Sequence, residues 1–131
     1  MEDALKCLVV RHKVPLCVAI TSSGTLICER GNDRTTTLRT GLNIEHAFIT
    51  ESDRNVVLLA RETHRDRSVL RAWKIKINNI VSGQRLANMG RLDLNDDDTV
   101  VDVAFLHGGL LRKKRIRAIT KFGRVVESRF V

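Results

Sequence analysis

Turn signals recur along this chain at intervals too short for helices. Ser22-Ser-Gly24, Gly31-Asn-Asp33, Glu51-Ser-Asp-Arg-Asn55, Ser82-Gly83, Asn95-Asp-Asp-Asp98, His107-Gly-Gly109 and Lys121-Phe-Gly123 divide it into short segments. Gly, Asn, Asp and Ser either tolerate left-handed backbone or bond their own main chain, so clusters of them reverse direction. The segments between are rich in Val, Ile, Leu and Thr. Strands of ~5–7 residues with a turn every ~8–12 residues read as an all-β sandwich, barrel or propeller. The strands expected are 5–11, 16–20, 25–29, 35–39, 44–49, 56–60, 69–76, 85–92, 100–106, 115–119 and 124–130. Residues 62–71 and 75–81 compete as helix, but neither sustains an apolar stripe at i, i+3, i+4, i+7. Pro15 fits the start of a strand, where its missing N–H is harmless.

The segment around the single tryptophan is the most informative. In Val69-Leu-Arg-Ala-Trp-Lys-Ile-Lys76, alternation sets Val69, Arg71, Trp73 and Ile75 on one face and Leu70, Ala72, Lys74 and Lys76 on the other. Trp73 is expected to be a structural anchor. Arg71 shares its face, which predicts either a half-buried face or a carboxylate partner such as Asp66. A Ser82-Gly-Gln-Arg-Leu86 break and a further strand follow. Residues 62–68 and the acidic stretch 93–99 read as loops inserted between strands.

A loose internal repeat accompanies the strands. Val14-Pro-Leu-Cys-Val-Ala-Ile-Thr-Ser-Ser-Gly24, Ile44-Glu-His-Ala-Phe-Ile-Thr-Glu-Ser-Asp53 and Val100-Val-Asp-Val-Ala-Phe-Leu-His-Gly-Gly109 each place a small residue mid-strand (Ala19, Ala47, Ala104) before a polar turn. Such self-similarity marks repeat architectures.

On these residues the chain resembles the WD-repeat β-propeller family. Val100–Gly109 looks like a blade's first strand and turn, Arg115-Ile-Arg-Ala-Ile119 like the second strand, and residues 121–130 like the second turn and third strand. Val69–Lys74 looks like a third strand, with Trp73 at the family's Trp position and Lys74 where Asp is usual. Ser82–Leu86 looks like the turn into the outer strand, and His12 stands where a His precedes the first strand. With no Gly-His pair and no Trp-Asp pair, the family's hydrogen-bonding tetrad does not carry over. The first copy is expected to lack an outer strand, since Leu42 follows Arg39 so closely. The resemblance implies an all-β chain of propeller-like antiparallel four-stranded blades in an incomplete ring, with a small β-barrel or sandwich as the alternative. It implies one domain over 1–131 with blade-like units at about 5–40, 41–92 and 93–131. Closed propellers have ~4–8 blades, so three units belong to a larger propeller, are completed by another chain, or pack on a partner that covers their edges.

Composition narrows the setting. With 131 residues, 43% hydrophobic and 29% charged, the chain is long enough for one domain with a core. No apolar run approaches the ~20 residues that cross a bilayer, and the acidic start Met1-Glu-Asp is unlike a secretory leader. The expected localisation is cytoplasmic or nuclear. Cys7, Cys17 and Cys28 are widely spaced and odd in number, as expected of buried thiols in a reducing compartment. No Cys or His spacing makes a zinc knuckle pair.

The net charge of +8 favours nucleic acid, an acidic protein surface or an anionic membrane. It concentrates in Arg112, Lys113, Lys114, Arg115 and Arg117, with Lys121 and Arg124 nearby. On a strand, Lys113, Arg115 and Arg117 share one face at ~6.6 Å intervals, a spacing suited to phosphates; the competing reading is a solubilising edge. Arg61-Glu-Thr-His-Arg-Asp-Arg67 reads as a mixed-charge surface loop, although His64 and Asp66 invite an acid/base reading. Asn95–Asp98 lacks the spacing, Gly and terminal Glu of a calcium loop and reads as a solvated turn. His46 and His107 read as structural. No nucleophile elbow, phosphate loop or zinc-protease motif occurs, so neither an enzyme nor a cofactor is expected. The function expected is a non-catalytic protein-interaction or scaffold module within a larger assembly, binding a protein partner or a second copy. The alternative is a basic RNA- or DNA-binding β-domain of a ribonucleoprotein.

Overall fold

The computed structural model describes residues 4–10, 16–30, 34–50, 55–76, 86–106 and 114–130. The chain is all-β across them. Its strands are β1 (Ala4–Val10), β2 (Leu16–Thr21), β3 (Thr25–Arg30), β4 (Arg34–Arg39), β5 (Asn43–Thr50), β6 (Asn55–His64), β7 (Arg67–Lys76), β8 (Ala87–Leu92), β9 (Val100–Leu106), β10 (Arg115–Thr120) and β11 (Val125–Glu127). They form three antiparallel sheets in chain order, β1-β2-β3-β4, β5-β6-β7-β8 and β9-β10-β11. None closes into a barrel, which fits an all-β fold with an incomplete ring. Among the described residues no helix is long and apolar enough to cross a membrane.

The three sheets follow one plan. Each first strand carries a bulge near its start: between Ala4 and Lys6, between Ile44 and His46, and between Val100 and Asp102. Aligned on that bulge, the pairs Leu8 with Val18, Phe48 with Val57, and Ala104 with Arg117 coincide. The sequence repeat was therefore set one strand out in its first copy. Ala19 lies on the second strand of its sheet, whereas Ala47 lies on the first strand of its own. The counterpart of Ala47 is Val103, and Ala104 points the other way. The first sheet also has an outer strand, β4, contrary to expectation. Alternation shows which residues share a face, but only the pairing of β1 with β2 shows which strand comes first.

The sheets stack face to face. Val18, Ile20, Leu26 and Cys28 on the front of the first sheet pack on Ile44, Ala47, Val56, Leu58 and Ile75 on the back of the second. Val57, Leu59, Leu70, Ala72, Met89 and Leu92 on the front of the second pack on Val100, Val103, Ile116 and Ala118 of the third. The first strands touch in succession, β1 on β5 and β5 on β9, so they line one side of the stack. The middle sheet is covered on both faces. That is why residues 55–60 of β6 are buried without alternation and read Asn55-Val-Val-Leu-Leu-Ala60. Each such buried aliphatic side chain contributes ~1.5–3 kcal/mol.

β7 holds Trp73 half-buried in the first interface, beside Ile75. Its Nε1 is buried and meets no hydrogen-bond acceptor among the described residues. Arg71 does have a carboxylate partner, but it is Glu62 at 2.8 Å; its guanidinium also donates to Asn88 Oδ1 at 3.1 Å. Asp66 lies instead in a hairpin turn. Residues 62–68, expected as an inserted loop, are the tip of a hairpin in which His64 pairs with Arg67. The two-residue turn has φ of 48° at Arg65 and 63° at Asp66, the primed geometry that matches strand twist. The mixed-charge loop over 61–67 is thus mostly strand, and the His64 side chain lies outside the described residues.

The third sheet is stitched to the second. The expected strand 124–130 ends at Glu127, after which the chain crosses to β8. Arg91 and Arg129 exchange backbone hydrogen bonds of 2.9 Å each. Ser128 is fully buried; its hydroxyl donates to the Met89 carbonyl at 2.6 Å and accepts from the Ile116 N–H at 2.9 Å. Gly90, at φ 96°, leaves room for this crossing, because a Cβ there would stand 3.0 Å from the Arg129 carbonyl oxygen.

Candidate functional site

The basic cluster falls on β10 and its flanks. Ile116, Ala118 and Thr120 point inward, so Arg115, Arg117 and Ile119 point outward. Arg112 and Lys113 lie outside the described residues. Of the expected row Lys113, Arg115 and Arg117, the two described members do share a face, yet neither is bare. Arg117 donates to Glu127 Oε1 at 2.8 Å, and the Arg115 guanidinium stands 3.9 Å from Glu127 Oε2. Pairs this exposed contribute ~1 kcal/mol or less. Lys114, Lys121 and Arg124 are exposed.

The turn from β10 to β11 repeats the one from β2 to β3. In Thr21-Ser-Ser-Gly24 and Thr120-Lys-Phe-Gly123 the glycine N–H donates to the threonine carbonyl, at 3.1 and 2.9 Å. The next residue's N–H donates to the threonine hydroxyl, at 3.1 and 3.2 Å. Asp98 secures the second turn. Asp96 and Asp97 are exposed as a solvated turn requires, but Asp98 is buried. Its Oδ1 accepts from the N–H of Thr99 at 2.9 Å and of Phe122 at 3.4 Å. Burial pushes the carboxyl pKa up; the Thr120 hydroxyl, the two N–H groups and the Arg124 charge outweigh it and hold it below the usual carboxylate value. At the corresponding end of the second sheet, Arg61 grips Glu45 with two hydrogen bonds of 2.7 and 2.8 Å. That bond holds the Glu45 carboxyl low and the Arg61 guanidinium high, against their burial.

Among the described residues, no sheet packs on the outward face of the third sheet. By the shared plan, Ile20, Leu59 and Ile119 are counterparts, as are Leu26, Ala72 and Val125. In the first two sheets these residues are covered by the next sheet, with Ile20, Leu26, Leu59 and Ala72 all at 0% exposure. In the third, Ile119 is 48% and Val125 63% exposed. Val101 at the bulge and Phe122 in the turn complete the exposed large hydrophobic residues among those described, and all four belong to this sheet or its turn. Where the earlier sheets carry Val18 with Cys28 and Val57 with Lys74, this one carries the Arg117–Glu127 pair.

Beside this face, an open groove of about 370 Å³ runs along β11, lined by Asp93, Arg115, Arg124, Val125, Val126, Glu127 and Arg129. Arg129 is paired to Asp93 across it. Among the described strands, β11 is the edge of its sheet, bonded to β10 alone. Sequence reasoning found Arg115 and Arg124 but passed over Ile119 and Val125. The signal was present: alternation places Ile119 with the arginines rather than with Ile116.

Among the described residues no group of three or more His, Cys, Asp or Glu side chains converges to hold a metal ion. His46 stacks on Phe48, ring centres 6.3 Å apart. Cys28 is buried in the first interface and Cys17 half-buried on the back of the first sheet, while His12, His107 and the Cys7 side chain lie outside the described residues. Comparison with family models, with curated proteins and with solved structures found no match to this chain.

Proposed function

We propose that the chain is a non-catalytic protein-interaction module of WD-repeat propeller type whose working surface is the outward face of the third sheet. The observation that carries this is the exposure of Ile119 and Val125 at positions whose counterparts are fully covered in both preceding sheets. Contiguous apolar surface on a β-sheet face, rimmed by arginines, is the composition of a protein interface: apolar centre, charged rim, Arg enriched. The open β11 edge adds unpaired backbone groups.

Binding of RNA or DNA along the β11 groove is the second reading. It is favoured by the +8 charge and by Arg115, Arg124 and Arg129 along one groove.

One experiment separates them. A photo-crosslinking amino acid is placed at Val125 in the full chain and irradiated in cells, with the same group at exposed Thr63 as control. Protein adducts specific to Val125 support the interaction module. Nucleic-acid adducts support the second reading, and an adduct pattern identical to that of Thr63 overturns both.

A further inference from the structure

We infer that the occupant of the bare front is the back of the first sheet of a second copy, so that two copies close head to tail into one six-sheet ring. This rests on the interaction reading above and names its partner. Both internal interfaces are built from the same positions, the front of one sheet on the back of the next. The stack therefore ends in the two unused halves of that one interface. The front half is Ile119, Val125, Ala104 and the Arg117–Glu127 pair. The back half is Ala19 and Ile27, with Thr37 paired directly beside Ile27 and Glu29 paired with Cys17. The backs of the later sheets show what this half is for: Leu58 and Ala118, the counterparts of Ala19, are at 0% exposure under the neighbouring sheet, whereas Ala19 and Ile27 are half-buried and, among the described residues, no sheet lies over them.

The charges agree with the apolar pattern. Arg117 stands on the free front where Val18 and Val57 stand on the covered ones. Glu29 is exposed on the free back where the second sheet has buried Ile75. Each end thus carries a charge where a covered face has an aliphatic residue, and on the front that charge, Arg117, has Glu127 beside it.

A head-to-tail contact either closes or grows without limit. Here the first strands β1, β5 and β9 meet in succession along one side, as sheets around an axis do. Two copies supply six sheets, inside the ~4–8 that close a propeller, and three copies overshoot it.

The test uses the full chain in sedimentation velocity, with circular dichroism to confirm that each variant is folded. Wild type is expected at twice the monomer mass. Ile119→Asp, on the front, and Thr37→Asp, on the back, are each expected to be monomeric, because either removes both contacts of the ring. Mixed one to one, they are expected to restore a dimer, since the intact front of one meets the intact back of the other. Val125→Asp replaces Ile119→Asp should the latter fail to fold. A Thr37→Asp chain that still dimerises while Ile119→Asp does not shows front-to-front pairing; it overturns this inference and leaves the interaction reading standing. A monomeric wild type, or an assembly larger than two copies, overturns the inference as well. In that case the Val125 crosslink alone decides whether the interaction reading survives.

Discussion

Leu59 and Ile119 occupy the same place in the same sheet plan, yet one is fully covered and the other half exposed. The strands around them differ little in kind. Both lie on the second strand of a meander, directly beside the bulge of the first strand. What differs is the neighbour. The front of the second sheet has the third packed on it, and among the described residues no further sheet packs on the front of the third. In a repeat architecture, stability comes from interfaces between units as much as from the units themselves. The end faces of the array are therefore where folding leaves surface uncovered and where recognition takes place.

Substitution at the paired positions gives the largest expected contrast. Leu59→Ala is expected to destabilise the fold by ~2–5 kcal/mol, the range for a buried leucine losing its packing. Ile119→Ala is expected to cost under ~1 kcal/mol in the monomer. Urea denaturation of both, at concentrations where no assembly forms, checks the difference, and equal losses would break the equivalence of the two sites. Ser128→Ala comes next. It strips the buried Ile116 N–H and Met89 carbonyl of the hydroxyl that joins the two sheets, at ~1–3 kcal/mol. Its signature is faster amide exchange in β10 and β11 with β6 unchanged; uniform acceleration would mean that the two sheets open together.

Much of the strand order was legible because turn chemistry is local. Gly24 and Gly123 announce their turns in the sequence, and the bonds from Thr21 and Thr120 follow. The Arg65–Asp66 turn was not legible: it needs two positive φ angles and carries no glycine or asparagine, so strong pairing along β6 and β7 imposes the conformation. The repeat phase was missed because three alternating strands look alike until their partners are known. At the candidate site, alternation alone put Arg115 and Arg117 on one face. Their shared partner Glu127 arrives from the next strand, through a register that no spacing reveals. Ile119 and Val125 were passed over because an apolar residue in a strand is ordinarily core, and their exposure follows from the third sheet standing last among the described ones.

The twin turns sharpen the same contrast on a smaller scale. Gly24→Ala meets the Leu42 carbonyl oxygen and the Thr40 hydroxyl at 2.5 Å, because the first turn is overlaid by the chain entering the second sheet. Gly123→Ala meets nothing within 4 Å and bears only the strain of a positive φ. The second is expected to cost ~1 kcal/mol, and the first more. Thermal melts of the pair measure the difference, and a smaller loss at Gly24 would contradict the overlay.

The smallest expected effect is the acid response of Asp98. Its folded pKa lies below the ordinary aspartate value of 3.8, so its contribution is present at neutral pH and is lost as pH falls below 3.8 through the lower folded value. Asp98→Asn is expected to flatten that part of the stability profile in acid titrations, and an unchanged slope would remove Asp98 from the account.

The hairpin of β6 and β7 has a consequence for how the molecule is made. Ten consecutive residue pairs, from His64 with Arg67 out to Asn55 with Lys76, close over one two-residue turn. Each added pair lengthens the loop by only two residues, so the entropic cost of zipping stays low. Every other sheet contact with the middle unit must wait for a longer closure. The strand pair that ends up most deeply enclosed is thus the one the chain can assemble from its own neighbourhood first, with the outer sheets condensing onto it from both sides. Folding rates that respond to substitutions in β6 and β7, but not to those in β2 or β10, are the kinetic mark of that order.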